Sequence, residues 1–134
     1  MEIDYIALFV TNVDTSMVFY RDVLGFSFLK PIKNGGVEGT SGLLKIGLYQ
    51  RDWLKKLFFE QLPDCQFNFD QDSNINPFLL SMTVDDLEAI YQHLQNYQVK
   101  ILQPPQTMHW GQRLLFCQDP DGNFLEIVQR QSYA

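Results

Sequence analysis

Few side chains in this sequence could carry acid–base, nucleophilic or metal chemistry. The chain holds two histidines, His93 and His109. An imidazole ionises near pH 6.5, a useful value for a general acid or base and for a ligand contact (about 6.5). His93 falls off the apolar stripe of a predicted helix and is expected to face solvent. His109 stands beside Trp110 in a loop after Pro104-Pro105, as either a polar loop residue or a contacting or acid–base group. Cys65 and Cys117 lie far apart and form no C-x-x-C pair, so both read as reduced, structural thiols. No Ser-His-Asp arrangement, dinucleotide fingerprint or phosphate-binding glycine loop is visible. Asn34-Gly35-Gly36 reads as a turn.

The elements that must position any site come next. The 134 residues suit one domain with a real core, and 46% hydrophobic against 19% charged residues argues against disorder. The net charge of −6 makes nucleic acid a poor partner. The densest basic spot, Lys55-Lys56, is flanked by Asp52 and Glu60. Neither a membrane-spanning run nor the basic start and apolar stretch of a signal peptide is present, so a cytoplasmic location is expected.

The apolar segment Ile3–Val10 reads as a buried strand. Val13, Met17, Tyr20 and Leu24 then recur at helical spacing, with Thr11 and Asp14 as a T-x-x-D start and Gly25 as a stop. The pattern returns downstream. Residues 77–84 are a second apolar strand, Asp85-x-x-Glu88 opens a helix, and Leu87, Ile90, Tyr91 and Leu94 form its stripe. Val10 and Val84, Thr11 and Asp85, Val13 and Leu87, and Asp14 and Glu88 are all 74 positions apart, the mark of an internal duplication. Strand-like material follows each helix. After the first come Phe26–Pro31, the Asn34-Gly35-Gly36 turn and Leu43–Gln50; after the second, Val99–Leu102, Arg113–Gln118 and Asn123–Gln129. Asp119-Pro120-Asp121-Gly122 has the chemistry of a hairpin turn. Each half therefore reads β-α-β-β-β, over about 1–50 and 77–131. The connecting segment 51–76 carries a possible helix over 52–62.

With these elements in place, three motifs resemble those of the vicinal-oxygen-chelate superfamily of glyoxalases, bleomycin-resistance proteins and extradiol dioxygenases. Phe19-Tyr20-Arg21-Asp22-Val23-Leu24-Gly25-Phe26 is similar to its F-Y-x-x-x-L-G-F signature. His109-Trp110-Gly111-Gln112-Arg113 and Asp119-Pro120-Asp121-Gly122-Asn123-Phe124-Leu125-Glu126 resemble its W-G-x-R and D-P-D-G-N-x-x-E segments. The resemblance covers essentially the whole chain. It implies an α+β fold in which two βαβββ repeats form curled mixed sheets around a concave cavity, with helices outside, in a homodimer. It leaves the reaction open, because this fold hosts several.

Catalytic members hold a divalent metal through the first and last strands of each unit, usually with His and Glu. The resemblance puts Tyr5 at the first-strand position of unit one, and the repeat puts Leu79 at its counterpart. Glu126 stands in the last strand of unit two, whereas Leu43–Gln50 offers no His, Asp or Glu. One leucine, one phenol and one carboxylate make a poor metal site, so neither a metal nor another cofactor is expected. Strand alternation turns Ile3, Tyr5, Ala7 and Phe9 inward, with Leu79, Ser81 and Thr83 in unit two, and Glu126 brings Phe124 and Val128. Tyr49, Trp53, Phe58, Phe59, Phe67 and Phe69 add aromatic surface, and Trp110 and Arg113 are rim candidates beside His109. Tyr5 and Arg113 are the donors expected to partner Glu126. The expected ligand-binding set is Tyr5, Phe9, Tyr49, Leu79, Ser81, Trp110, Arg113 and Glu126.

The leading expectation is metal-independent binding of a small organic molecule, aromatic or cationic, as in bleomycin-resistance proteins. The alternative is a glyoxalase-like lyase or isomerase, or a dioxygenase, with an atypical site that uses Glu126, Tyr5 or His109 as acid–base groups. A third reading is a structural or regulatory dimer with a collapsed cavity.

Overall fold

The computed structural model describes residues 2–32, 36–52 and 78–131. The chain divides into two compact units, Met1–Asp72 and Ser73–Ala134. Unit one runs β1 (Tyr5–Val10), α1 (Val13–Val18, continued by a π-helical turn over Phe19–Val23), β2 (Ser27–Ile32), β3 (Gly36–Ser41) and β4 (Leu44–Gln50). Unit two runs β5 (Leu79–Val84), α2 (Leu87–Asn96), β6 (Ile101–Thr107), β7 (Arg113–Gln118) and β8 (Phe124–Gln129). The sheet orders are β1-β4-β3-β2 and β5-β8-β7-β6. In each unit the first strand pairs parallel with the last, and the remaining pairings are antiparallel. Two βαβββ units of an α+β fold are therefore present. The expected helix over 52–62 lies, beyond Asp52, outside the described residues.

The middle strand of unit one is β3, Gly-Val-Glu-Gly-Thr-Ser. Its glycines give it the composition of a turn, and Gly36, placed in the turn by sequence, is its first residue. β6 runs five residues further than expected, to Thr107, through Pro104 and Pro105. It is an edge strand with two register shifts, a place where proline's missing N–H removes no needed bond.

Both helix starts fall one residue later than the T-x-x-D pattern suggests. Asn12 caps α1, its Oδ1 accepting from the Thr15 N–H at 3.0 Å, and Asp86 caps α2, its Oδ1 accepting from the Ala89 N–H at 3.0 Å. Asn12 and Asp86 keep the 74-residue offset, so the duplication extends to the caps. The last residue of each closing strand then clamps the same turn. The Gln50 side chain accepts from the Val13 N–H and donates to the Thr11 carbonyl; the Gln129 side chain accepts from the Leu87 N–H and donates to the Asp85 carbonyl. One glutamine per unit thus ties β4 or β8 to the start of its helix.

The helices cover one face of each sheet. Leu8, Val10, Ile46 and Leu48 are buried in unit one, and Leu115, Cys117, Leu125 and Ile127 in unit two. α1 packs on β3 and β4, and α2 on β6 and β8. The buried stripe of α1 and its π-helical turn is Ser16, Phe19, Tyr20 and Val23, a regular i, i+3, i+4, i+7 pattern that shares only Tyr20 with the expected stripe. Burial, with help from the nearby Asp119 carboxylate, pushes the Cys117 thiol up to about 12, so it is a protonated core group at neutral pH.

Asp119 holds the β7–β8 turn. Its Oδ1 accepts from the N–H groups of Asp121 (2.9 Å) and Asn123 (2.8 Å), and its Oδ2 accepts from the Asn123 amide at 2.8 Å. Asp119 and Asn123 are both buried, and Gly122 takes the positive φ of 82° that the turn requires. Asp119→Ala strands buried donors and is expected to lower stability by about 1–3 kcal/mol in urea unfolding. A variant as stable as the parent would show that strand pairing alone holds the turn.

Candidate functional site

On the face of unit one away from α1, three strands carry a three-by-three array. Register sets Tyr5 beside Lys45 and Thr40, Ala7 beside Gly47 and Glu38, and Phe9 beside Tyr49 and Gly36. The small residues of the central row leave room that the tyrosines use. Tyr5 leans over Gly47, and a Cβ at Gly47 would collide with the Tyr5 hydroxyl and lie 2.6 Å from the Tyr49 ring. The Tyr5 and Tyr49 hydroxyl oxygens are 2.6 Å apart, and the Tyr5 hydroxyl donates to Glu38 Oε2 at 3.4 Å. A phenol has one hydrogen. The Tyr5 hydrogen is therefore engaged within the cluster, by Glu38 or by Tyr49. Phe9 lies against Tyr49 with ring centroids 6.5 Å apart.

On the corresponding face of unit two, Leu79 pairs with Phe124, Ser81 with Glu126, and Thr83 with Val128. The Ser81 hydroxyl donates to Glu126 Oε1 at 2.7 Å. Leu125 and Ile127, the neighbours of Glu126 in sequence, are buried on the helix side, so the parity expected for Glu126 holds. The partner is different from the expected one. Tyr5 is engaged by Glu38 and Tyr49, and Arg113 donates to Glu88 at 2.6 Å. Arg113 alternates with the buried Leu114 and lies on the strand face opposite Phe116, the residue paired with Glu126. Ser81, directly across the parallel pair from Glu126, supplies the donor instead.

His109 and Trp110 sit in the β6–β7 connection. Both are exposed, with rings edge to face at 4.6 Å, and the Trp110 indole donates to Gln112 Oε1 at 3.1 Å. The structure thus groups Tyr5, Phe9 and Tyr49 in unit one, Leu79, Ser81 and Glu126 on β5 and β8, and His109, Trp110 and Arg113 at one end of β7. Trp53, Phe58, Phe59, Cys65, Phe67 and Phe69 lie outside the described residues.

The strand registers also settle the fourth metal position. Ala7 faces Gly47 as Ser81 faces Glu126, so Gly47 is the unit-one counterpart of Glu126. The four positions thus read Tyr5, Gly47, Leu79 and Glu126. Glycine and leucine cannot coordinate, and the two tyrosine rings fill the space where a Gly47 side chain would project. Among the described residues no three His, Cys, Asp or Glu side chains come together. These residues do not fit the divalent ion that the fold's catalytic members hold. Glu38 is the carboxylate that sequence reasoning missed, because it lies on the glycine-rich β3. The signal that could have placed Gly47 was the terminal glutamine shared by Ile46-Gly47-Leu48-Tyr49-Gln50 and Leu125-Glu126-Ile127-Val128-Gln129.

Paired βαβββ units with parallel first-to-last strand pairing, together with the D-P-D-G-N turn, define the vicinal-oxygen-chelate class. The chain belongs to the Glyoxalase/Bleomycin resistance protein/Dioxygenase superfamily, whose family model matches residues 2–127. It is 25% identical over 129 residues to the uncharacterized protein YaeR of Escherichia coli K12, covering 96% of each chain. Two solved structures share the fold. A glyoxalase/bleomycin resistance protein/dioxygenase family enzyme from Burkholderia phytofirmans PsJN matches with a TM-score of 0.75 at 20% identity, over 96% of this chain and 98% of that one. A protein of unknown function from Agrobacterium tumefaciens C58 matches with a TM-score of 0.73 at 23% identity, over 98% and 95%. Among the described residues no helix is long and apolar enough to cross a membrane.

The Tyr5 phenol is held well above its ordinary value. Burial is the main cause, followed by the hydrogen bond and charge of Tyr49 and then by Glu38. The unfolded chain releases this proton near pH 10, whereas the folded protein retains it. The stabilisation is therefore complete below about pH 10 and is lost as pH rises through the folded value. Denaturant unfolding at stepped pH should show stability falling more steeply above pH 10 in the parent than in Tyr5→Phe. Equal slopes would mean that the phenol titrates alike in both states.

Proposed function

We propose that this protein binds a small organic molecule without a metal, as a homodimer, in the manner of bleomycin-resistance proteins. The sheet faces turned away from the helices provide the binding surface, and Glu126 anchors the ligand. The observation that carries this reading is the Ser81–Glu126 pair. A half-buried carboxylate without a cation is costly to hold, and a single hydroxyl satisfies only part of its acceptor capacity. Among the described residues Arg113 is committed to Glu88, and Ser81 is the side chain that bonds Glu126. An amine or hydroxyl on a ligand would complete the set, while Phe124 and Leu79, beside Glu126 and Ser81 along their strands, offer apolar contact. The net charge of −6 favours cationic ligands through the general field.

A suitable probe is dansylcadaverine, an aromatic fluorophore on a primary ammonium chain. Its fluorescence should rise on binding to the parent. Glu126→Gln keeps the shape and removes the charge, and should weaken binding by on the order of 1.5–3 kcal/mol, as for a charge-assisted hydrogen bond. Stability should change little or rise. Unchanged affinity together with a large loss of stability would make Glu126 a structural strut.

A further inference from the structure

The Tyr5–Tyr49–Glu38 cluster plays no part in the anchoring role of Glu126. We propose that it is a second recognition point, specific for ligand groups that are both cationic and hydrogen-bond donors: primary ammonium or guanidinium groups. The inference rests on the reading that these sheet faces bind organic molecules, and it names the ligand chemistry for unit one.

The argument is a count of donors and acceptors. The Tyr5 hydroxyl contacts both Glu38 Oε2 and the Tyr49 hydroxyl, so its one hydrogen is already committed within the cluster. Glu38 receives one bond, at the long distance of 3.4 Å, from a neutral group. A carboxylate has about four acceptor positions. Among the described residues Tyr5 is its side-chain hydrogen-bond partner, and no cation forms an ion pair with it. The open capacity beside Gly47 is therefore acceptor capacity carrying a negative charge. An anionic ligand would be repelled. Tyr5 and Tyr49 lie over Gly47, and Phe9 stands against Tyr49, so the carboxylate is bordered by aromatic surface suited to the carbon framework next to a cation. Tyr5 retains its proton into the alkaline range, which keeps this donor pattern in place at neutral pH.

Lys45 shares the face, one row from Gly47, and is exposed. Among the described residues it forms no ion pair with Glu38. It acts as a tethered competitor that raises the concentration of ligand required.

The test uses the full chain and three probes of similar shape: benzylammonium, benzyltrimethylammonium and benzyl alcohol. Binding is followed through the backbone amide signals of Ala7, Glu38 and Gly47. Benzylammonium should shift these signals with an affinity at least about tenfold above either of the others, because it alone is both charged and a donor. Glu38→Gln should abolish that preference, Lys45→Met should tighten benzylammonium binding several-fold, and Asp14→Asn, at an exposed carboxylate on α1, should leave the unit-one shifts intact. Unit-one amide signals that keep their native dispersion in Glu38→Gln establish that the variant is folded. Equal binding of the trimethylated probe would reduce the cluster to a generic aromatic cation box and overturn the inference. So would benzylammonium shifts that survive Glu38→Gln, or no unit-one shifts in the parent. Because Glu126→Gln is scored separately, the anchor in unit two can fail while this site stands, and the reverse.

Discussion

Each unit depends on the parallel pairing of its first strand with its last. That register decides which side chains stand next to each other on the face away from the helix. In unit one it sets Ala7 against Gly47 and brings Tyr5 over the glycine. In unit two it sets Ser81 against Glu126. Side chains alternate with a period of two, so a slip of one residue would move both arrangements to the helix face and expose Leu48 and Ile127. The glutamine clamps guard against such a slip. Gln50 and Gln129 end their strands by bonding the backbone on both sides of a helix start, which ties the strand's end to a fixed point.

With the register fixed, the two units reach similar chemistry from different residues. Each places a hydroxyl on a carboxylate: Tyr5 on Glu38 and Ser81 on Glu126. In unit one the carboxylate stands on β3, one strand over from Gly47, and two tyrosines lie over the glycine. Neutral donors bond these carboxylates and offset part of the cost of their desolvation. That combination suits reversible contact with an organic cation better than coordination of a metal ion.

Much of this was legible in the sequence. The 74-residue offset located both helices and both first strands, and the parity of Leu125 and Ile127 fixed the direction of Glu126. The exact caps were not legible, because Thr11 and Asp85 are themselves plausible caps and only backbone geometry selects Asn12 and Asp86. β3 was hidden by its glycines, and Glu38 with it. The offset also grows from 74 at β1 to 79 at β4, since Lys45 corresponds to Phe124, so a single shift could not align the last strands. The partner of Glu126 depends on which residue lies across a parallel pair, and that is a property of register rather than of composition.

On the proposed reading, hydroxyl–carboxylate pairs stand in place of the metal site of this fold. Elemental analysis of the purified protein after exhaustive dialysis, and again after reloading with zinc, nickel or iron(II) and a second dialysis, tests it most directly. Far less than one divalent ion per chain is expected in every case, because glycine and leucine occupy two of the four positions. About one tightly retained ion per chain, lost on Glu126→Ala, would contradict it.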